Sequence, residues 1–257
     1  MGKLDNRVVI VTGAASGIGR ATALAFAQEG CTVVATTQNN KDGLNSLVQE
    51  IKSMGGEALA IMQDVAEEAD WDRVINKTIE AYGKINYLVN NAGRRHFGTI
   101  ENSTYDEMMF AFKVDSMSVF MGMNKVIPYL RKVREANEGA AIVNVSTLIS
   151  NAGVENYIKY VAAKSAVNAM TKCAAMDLKG TGIRVNVVLP GLIETPLSAQ
   201  RPKHELESYI QQFAIDRIGQ PNEVASACVY LCLDESSYIT ATELPIDGGY
   251  INCRIVK

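Results

Sequence analysis

Short runs of β-branched and apolar residues alternate along the chain with longer stretches whose apolar positions recur at helical spacing. Val8–Val11 reads as a strand, and Ile18, Ala21, Leu24 and Ala25 mark a helix running from Ile18 to Gln28. Thr32–Thr37 is a second strand, followed by a helix from Leu44 to Met54 that Gly55-Gly56 ends. Ala58–Met62 is a third, and Trp71, Val74, Ile75, Ile79 and Tyr82 then form an amphipathic stripe. Ile85–Val89, Ala141–Val145, Ile183–Leu189 and Glu243–Ile246 complete seven strands. Helices from Tyr105 to Arg131, Asn156 to Leu178 and Asn222 to Leu233 lie between them. Strands alternating with helices predict an α/β fold: a doubly wound, mainly parallel seven-stranded sheet with helices on both faces. No internal repeat or Pro/Gly/Ser-rich linker divides the chain, so one domain is expected over residues 1–257. In such sheets a ligand sits outside the carboxyl ends of the strands, and the segments that follow strands are where chemistry is expected.

Composition narrows the class without changing that picture. With 257 residues, 47% of them hydrophobic and 21% charged, the chain is neither disordered nor collagen-like. A net charge of -3, from 25 basic and 28 acidic residues, argues against nucleic acid as a partner. No apolar run approaches the ~18 residues of a membrane helix. The opening residues do not read as a signal peptide, and a cytoplasmic protein is expected. Five scattered cysteines make no disulfide framework. Cys228 and Cys232 lie one helical turn apart, which fits a metal pair less well than two small apolar residues on a buried face. No metal site is expected.

The segment after the first strand is Thr12-Gly13-Ala14-Ala15-Ser16-Gly17-Ile18-Gly19. Gly13 suits a tight turn, Gly17 a close backbone approach to a ligand, and Gly19 close helix packing. The free amides and positive end of the following helix favour a pyrophosphate, as in Rossmann-type folds. Three glycines are often only a turn; strand before and helix after supply the required context.

With the spacing TGxxxGxG, the chain resembles the short-chain dehydrogenases/reductases. The resemblance continues through Asp64-Val65, Asn90-Asn91-Ala92-Gly93, Tyr160-Val161-Ala162-Ala163-Lys164, Pro190-Gly191 and Asp247-Gly248-Gly249, in the family's order. It implies that Gly13, Ser16, Gly17, Ile18 and Gly19 hold the phosphates of a dinucleotide, and that Asp64 and Val65 flank its adenine. It implies further that Asn91, Ala92 and Gly93 line it, and that Pro190, Gly191, Ile193 and Thr195 hold the nicotinamide carboxamide. A carboxylate at the end of the second strand would favour NAD. Thr37 stands there instead, within Ala35-Thr36-Thr37-Gln38-Asn39-Asn40, and neither Ser16 nor Gln38 is basic. Loss of the repulsive acid favours NADP over NAD, with Lys41 either a helper or a solvated helix start.

Tyr160 and Lys164, four apart on a predicted helix, share one face. A free tyrosine has a pKa of about 10, and a nearby ammonium is expected to lower it toward the working range. Tyr160 would then take a proton from an alcohol or give one to a carbonyl, while Lys164, by resemblance, also bonds the nicotinamide ribose. The family's separation of thirteen positions before Tyr160 falls on Thr147, a hydroxyl for the developing alkoxide, with Ser146 its rival. Asp115, in Val114-Asp115-Ser116-Met117-Ser118-Val119-Phe120, takes the place of the family's Asn, which stabilises a helix irregularity and a water relay to the Lys. The carboxyl either serves that relay or disturbs it.

Arg94, Arg95 and His96 follow Gly93, where the family has apolar residues. They fit an anionic or polar substrate group, a solvated loop or a subunit contact. Residues from about 195 to 213, with Leu197, Leu206, Tyr209, Ile210 and Phe213, read as an amphipathic substrate lid or a packed helix. Arg131 to Gly139 reads as a solvated helix end, and the apolar residues of Tyr250 to Lys257 suggest docking at a subunit interface. The resemblance implies a homotetramer assembled through the two long helices and the last strand. It also implies alcohol–ketone interconversion on a small molecule such as a hydroxysteroid or 3-oxoacyl compound. The alternatives are a catalytically weak dinucleotide-binding regulator, for which Asp115 and Thr147 leave room, and a dehydratase or epimerase, which the compact length disfavours.

Overall fold

Alternate residues of the first strand point to opposite layers, and this divides the core. In β1 (Val8–Val11), Val9 and Val11 join one buried apolar cluster while Val8 and Ile10 join another. A computed structural model describes residues 2–196, 198–200 and 203–253. Within it, α1 (Gly17–Gln28) and α2 (Lys41–Ser53) bury Phe26, Leu44, Leu47 and Ile51 in the first cluster. α3 (Glu68–Tyr82) buries Trp71, Val74 and Ile75 in the second.

The remaining strands are β2 (Thr32–Thr37), β3 (Ala58–Met62), β4 (Tyr87–Asn90), β5 (Ala141–Val145), β6 (Arg184–Pro190) and β7 (Glu243–Ile246). They pair in the order β3-β2-β1-β4-β5-β6-β7, every pairing parallel. The fold is the expected doubly wound α/β sheet of Rossmann type. Its strand order reverses between β1 and β4, and a crevice opens there at the carboxyl edge. α8 (Pro221–Tyr230) covers the first face, its Val224 and Cys228 buried in the same cluster as Cys232. The cysteine pair is therefore core packing.

The expected continuous helix from Tyr105 to Arg131 is interrupted. It comprises α4 (Tyr105–Phe112), one π-helical turn over Lys113–Met117, and α5 (Ser118–Glu135). α4 starts at a capping box in which Thr104 accepts from Glu107 N–H and the Glu107 carboxylate accepts from Thr104 N–H. The π turn is held from outside, where Ser116 Oγ donates to the Ala163 carbonyl at 2.7 Å. Ala163 lies in α6 (Ile158–Asp177). Asp115, on this turn, is completely buried.

Several boundaries shift by one to three residues, and two regions differ for visible local reasons. β4 begins at Tyr87 because the Asn86 side chain, not a strand backbone, accepts the Val8 N–H at 3.0 Å. Arg131 to Gly139 is not simply a solvated helix end. Val133 is buried, and Glu138 meets Arg7 at 2.8 Å, Lys84 at 3.0 Å and Asn86 at 2.8 Å. Those three partners hold its carboxyl below the usual range against the opposing effect of partial burial. No helix among the described residues is long and apolar enough to cross a membrane.

Candidate active site

The crevice is built first from backbone. The Thr12 hydroxyl accepts both the Asn91 and Ala92 N–H groups at 3.0 Å, and Asn91 Nδ2 donates to the Thr12 carbonyl at 2.9 Å. The loops after β1 and β4 are thus tied into one floor. Gly19 permits this contact: a Cβ there would lie 2.3 Å from the Gly13 carbonyl oxygen and 2.4 Å from Asn91 Nδ2. Its empty side therefore meets the neighbouring loops rather than the sheet, which refines the expected helix-packing role. Ser16 does not cap α1 with its side chain, and the first turn carries no acid. Its N–H groups lack intrahelical partners and present a positive end suited to an anion.

The cleft has a volume of about 520 Å³. Gly13, Ser16, Gly17, Ile18 and Gly19 form one end of it, together with Thr37 from the close of β2. Asn91, Ala92 and Gly93 lie at its middle, and Pro190, Gly191, Ile193 and Thr195 form a further wall after β6. Asp64 and Val65 do not line it. Asp64 reaches it only through Gln38, whose Nε2 donates to the carboxylate at 2.5 Å, and the Val65 carbonyl accepts from Trp71 Nε1 at 2.9 Å. Lys41 is an exposed first residue of α2 and is absent from the lining.

Tyr160, Lys164, Thr147 and Ser146 meet at the other end. α6 presents Tyr160 and Lys164 on one face, and the end of β5 delivers the two hydroxyls. The two hydroxyls have different surroundings. Thr147 lines the cleft beside Tyr160 and holds its phenol down against burial, whereas Ser146 Oγ donates to the Lys164 carbonyl at 3.1 Å. Buried Asn144 keeps the two elements in register, since it accepts from Asn90 Nδ2 and donates to Thr171 Oγ1, both at 2.9 Å.

Lys164 Nζ donates to the Val145 carbonyl at 3.0 Å. The expected lowering of the Tyr160 pKa by this ammonium is not what its surroundings produce. Burial pushes the phenol up, Asp115's charge adds to that, and the Thr147 hydrogen bond opposes it. Burial lowers the Lys164 ammonium, and Asp115 opposes that shift. Asp115 stands behind the cleft rather than in it. Gly93 separates the charges: a Cβ there would lie 2.7 Å from Asp115 Oδ1 and 3.1 Å from Lys164 Nζ.

The three consecutive donors after Gly93 diverge. Arg94 Nη2 donates to Gln38 Oε1 at 2.6 Å, toward the β2 side of the cleft. Arg95 lines the cleft with its guanidinium 5.1 Å from the Phe97 ring centroid. His96 turns inward, its Nε2 3.1 Å from Asp115 Oδ2. They do not make one anion clamp.

Further aromatic rings complete the open end. Tyr157 packs on Phe97 at 5.1 Å and on Tyr160 at 6.3 Å between ring centroids. Tyr209, near the end of α7 (Lys203–Ile210), and Phe213 come from the expected lid. Leu197 of that lid lies outside the described residues. Tyr250 lines the cleft against Phe213 at 5.4 Å. The interface expectation for the C-terminal segment therefore does not account for Tyr250, and its residues 254–257 lie outside the described part. Tyr157 and Tyr250 had no motif to betray them; the spacing of Tyr157, three residues before Tyr160, was the one available signal.

A glycine loop opening onto a helix, at a strand-order reversal and beside a Tyr–Lys pair, defines a dinucleotide-binding α/β protein. The family model described as enoyl-(acyl carrier protein) reductase matches residues 13–251. The 3-oxoacyl-[acyl-carrier-protein] reductase FabG of Thermotoga maritima is 38% identical over 249 residues, covering 97% of this chain and 99% of that protein. Cyclohexanol dehydrogenase of an Acinetobacter species is 34% identical over 249 residues, covering 96% of each. Dehydrogenase/reductase SDR family member 6 of Rattus norvegicus is 36% identical over 257 residues, covering 97% and 99%. The chain belongs to the short-chain dehydrogenase/reductase family.

Proposed function

We propose that this protein is an NADP(H)-dependent oxidoreductase that interconverts a secondary alcohol and a ketone. The observation that carries the reading is the convergence of Thr147, Tyr160 and Lys164 in the same cleft as the glycine loop. Gly13, Ser16, Gly17, Ile18 and Gly19 would hold the pyrophosphate, and Thr37 and Asp64 would face the adenosine. Asn91, Ala92 and Gly93 would lie along the dinucleotide, with Pro190, Gly191, Ile193 and Thr195 around the nicotinamide. The cofactor supplies or accepts the hydride. Thr147 orients the substrate oxygen, Tyr160 exchanges the proton at its phenolic oxygen, and Lys164 fixes the ribose and the local charge. A phenol held protonated by burial is in the form that gives its proton to a carbonyl.

NADP is favoured by two features. No acid stands among Thr37, Gln38, Asn39 and Asn40, and Arg94 brings a guanidinium to Gln38. This replaces Lys41 as the source of positive charge. On the substrate side, Tyr157, Tyr209, Phe213 and Tyr250 favour an apolar or cyclic substrate, and Arg95 favours one bearing an anionic or polar group. A 3-oxoacyl compound, a cyclic alcohol and a hydroxysteroid all have that chemistry; the names of the relatives support the first two. Exposed Tyr105, Met109, Phe110, Met117 and Phe120 along α4, the π turn and α5 support self-association, and we assign the homotetramer to this face. Five free cysteines fit a reducing cytoplasm.

The test is nicotinamide absorbance with a panel of 3-oxoacyl thioesters, cyclic ketones and ketosteroids. Turnover with NADPH is expected, and Tyr160→Phe should bind NADPH yet lose about 10²–10⁴-fold in kcat. Dinucleotide binding without turnover across the panel would favour the regulatory reading, and a Tyr160→Phe enzyme of normal rate would refute the proton assignment.

A further inference from the structure

Asp115 is fully buried, and its two oxygens have different neighbours. Oδ1 accepts the Arg94 N–H at 2.8 Å. Oδ2 lies 3.1 Å from His96 Nε2, an ion-pair approach without the alignment of a hydrogen bond. Neither Oδ2 nor Nε2 has another hydrogen-bond partner among the described residues. The His96 side chain is only 11% exposed and sits edge-on to Phe110, with ring centroids 5.8 Å apart. The ring is thus packed against the carboxylate. It presents a positive edge if its Nε2 carries the proton and a full charge if both nitrogens do.

Lys164 and Tyr160 face Asp115 from α6. Tyr160 is in turn faced by Arg95, from the loop after β4, and by Tyr157, at the start of α6. On Asp115's own turn, Lys113 is drawn away to Glu67 at 2.8 Å. A buried carboxylate is costly without compensation, and Asp115 acts on both Tyr160 and Lys164. Its outer oxygen is met by His96.

We propose that His96 is the charge partner of Asp115, and that this pair, set behind Gly93, is a positioning device for the proton that Tyr160 moves. The inference rests on the proposed function for its kinetic meaning, but the pairing has a readout that needs no turnover. His96 lies outside the cleft lining and acts through Asp115. The pair joins two departures from the family pattern, an acid in the helix and a histidine in the loop, which lie nineteen positions apart in sequence.

The experiment is a pH titration of the Tyr160 ring carbon by NMR, assigned with Tyr160→Phe, alongside the acidic limb of kcat for alcohol oxidation with NADP. Asp115→Asn should move the Tyr160 midpoint and the limb to lower pH by about one unit, because a negative neighbour is removed. His96→Leu should move the limb to higher pH by roughly half a unit, because the carboxylate loses its compensation. The double variant should match Asp115→Asn, since His96 then has no charge to compensate. If His96→Leu leaves the limb where it is in the wild type, or shifts the Asp115→Asn background, His96 does not act through Asp115. A His96→Leu chain that fails to fold while the double variant folds supports the pairing, since only the bare carboxylate differs. Failure of both to fold assigns His96 to packing and overturns it. A wild-type protein without turnover refutes the oxidoreductase reading, while the Tyr160 midpoints of Asp115→Asn and the double variant still judge the pair.

Discussion

The loops after β1 and β4 flank the same strand-order reversal, yet they are built by different means. The first is a backbone device: glycines, a helix start and N–H groups, with no acid in the turn. The second begins in the same manner with Asn91, Ala92 and Gly93, then sends three side chains three ways. Arg94 goes to Gln38, Arg95 to the cleft, and His96 to buried Asp115. A site made of backbone follows from where glycine is permitted. A site made of long side chains depends on which partners the rest of the fold brings within reach.

The comparison is broken most severely at the end of β5, where neighbouring hydroxyls have diverged in the same way. Thr147→Val should lower kcat about 10²-fold by removing the hydroxyl set beside Tyr160 and the substrate oxygen, while Ser146→Ala costs far less. Steady-state kinetics check this, and equal losses would undo the assignment. Gly19→Ala tests the backbone half. A Cβ 2.3 Å from a carbonyl oxygen must displace the loop, and NADPH affinity should fall about 10–100-fold, ~1.4–2.7 kcal/mol, in a fluorescence titration. Unaltered affinity would mean the floor of the crevice is not where the pyrophosphate lies.

A pH comparison sharpens the catalytic side. Burial and Asp115 raise the Tyr160 pKa, so the protonated phenol predominates through neutrality. Carbonyl reduction, which needs that proton, should be nearly flat there, whereas alcohol oxidation, which needs the phenolate, should climb as the medium becomes alkaline. An oxidation rate already at its plateau in mildly acidic buffer would contradict the sign. The smallest effect is expected at Arg94. Arg94→Gln should raise the ratio of the NADP to the NAD dissociation constant about five- to tenfold, and Thr37→Asp should raise it further. A ratio unmoved by Arg94→Gln leaves that guanidinium out of cofactor choice.

Short β-branched runs and helical patterning determined the strands, the flanking helices and hence the parallel sheet, because burial of apolar faces depends on local spacing. β1, β2, β3, β5 and β7 have the predicted limits, and the glycine loop and Tyr160–Lys164 spacing marked both ends of the cleft. Tertiary structure alone decided that the helix irregularity implied at Asp115 is a π turn burying its carboxyl, that Ser146 turns to the Lys164 carbonyl, and that Tyr250 lines the cleft. It also reversed the expected shift of Tyr160, because a pKa answers to the burial and charges around a group, and those are assembled from the π turn and the loops after β4 and β5 rather than from its own helix alone.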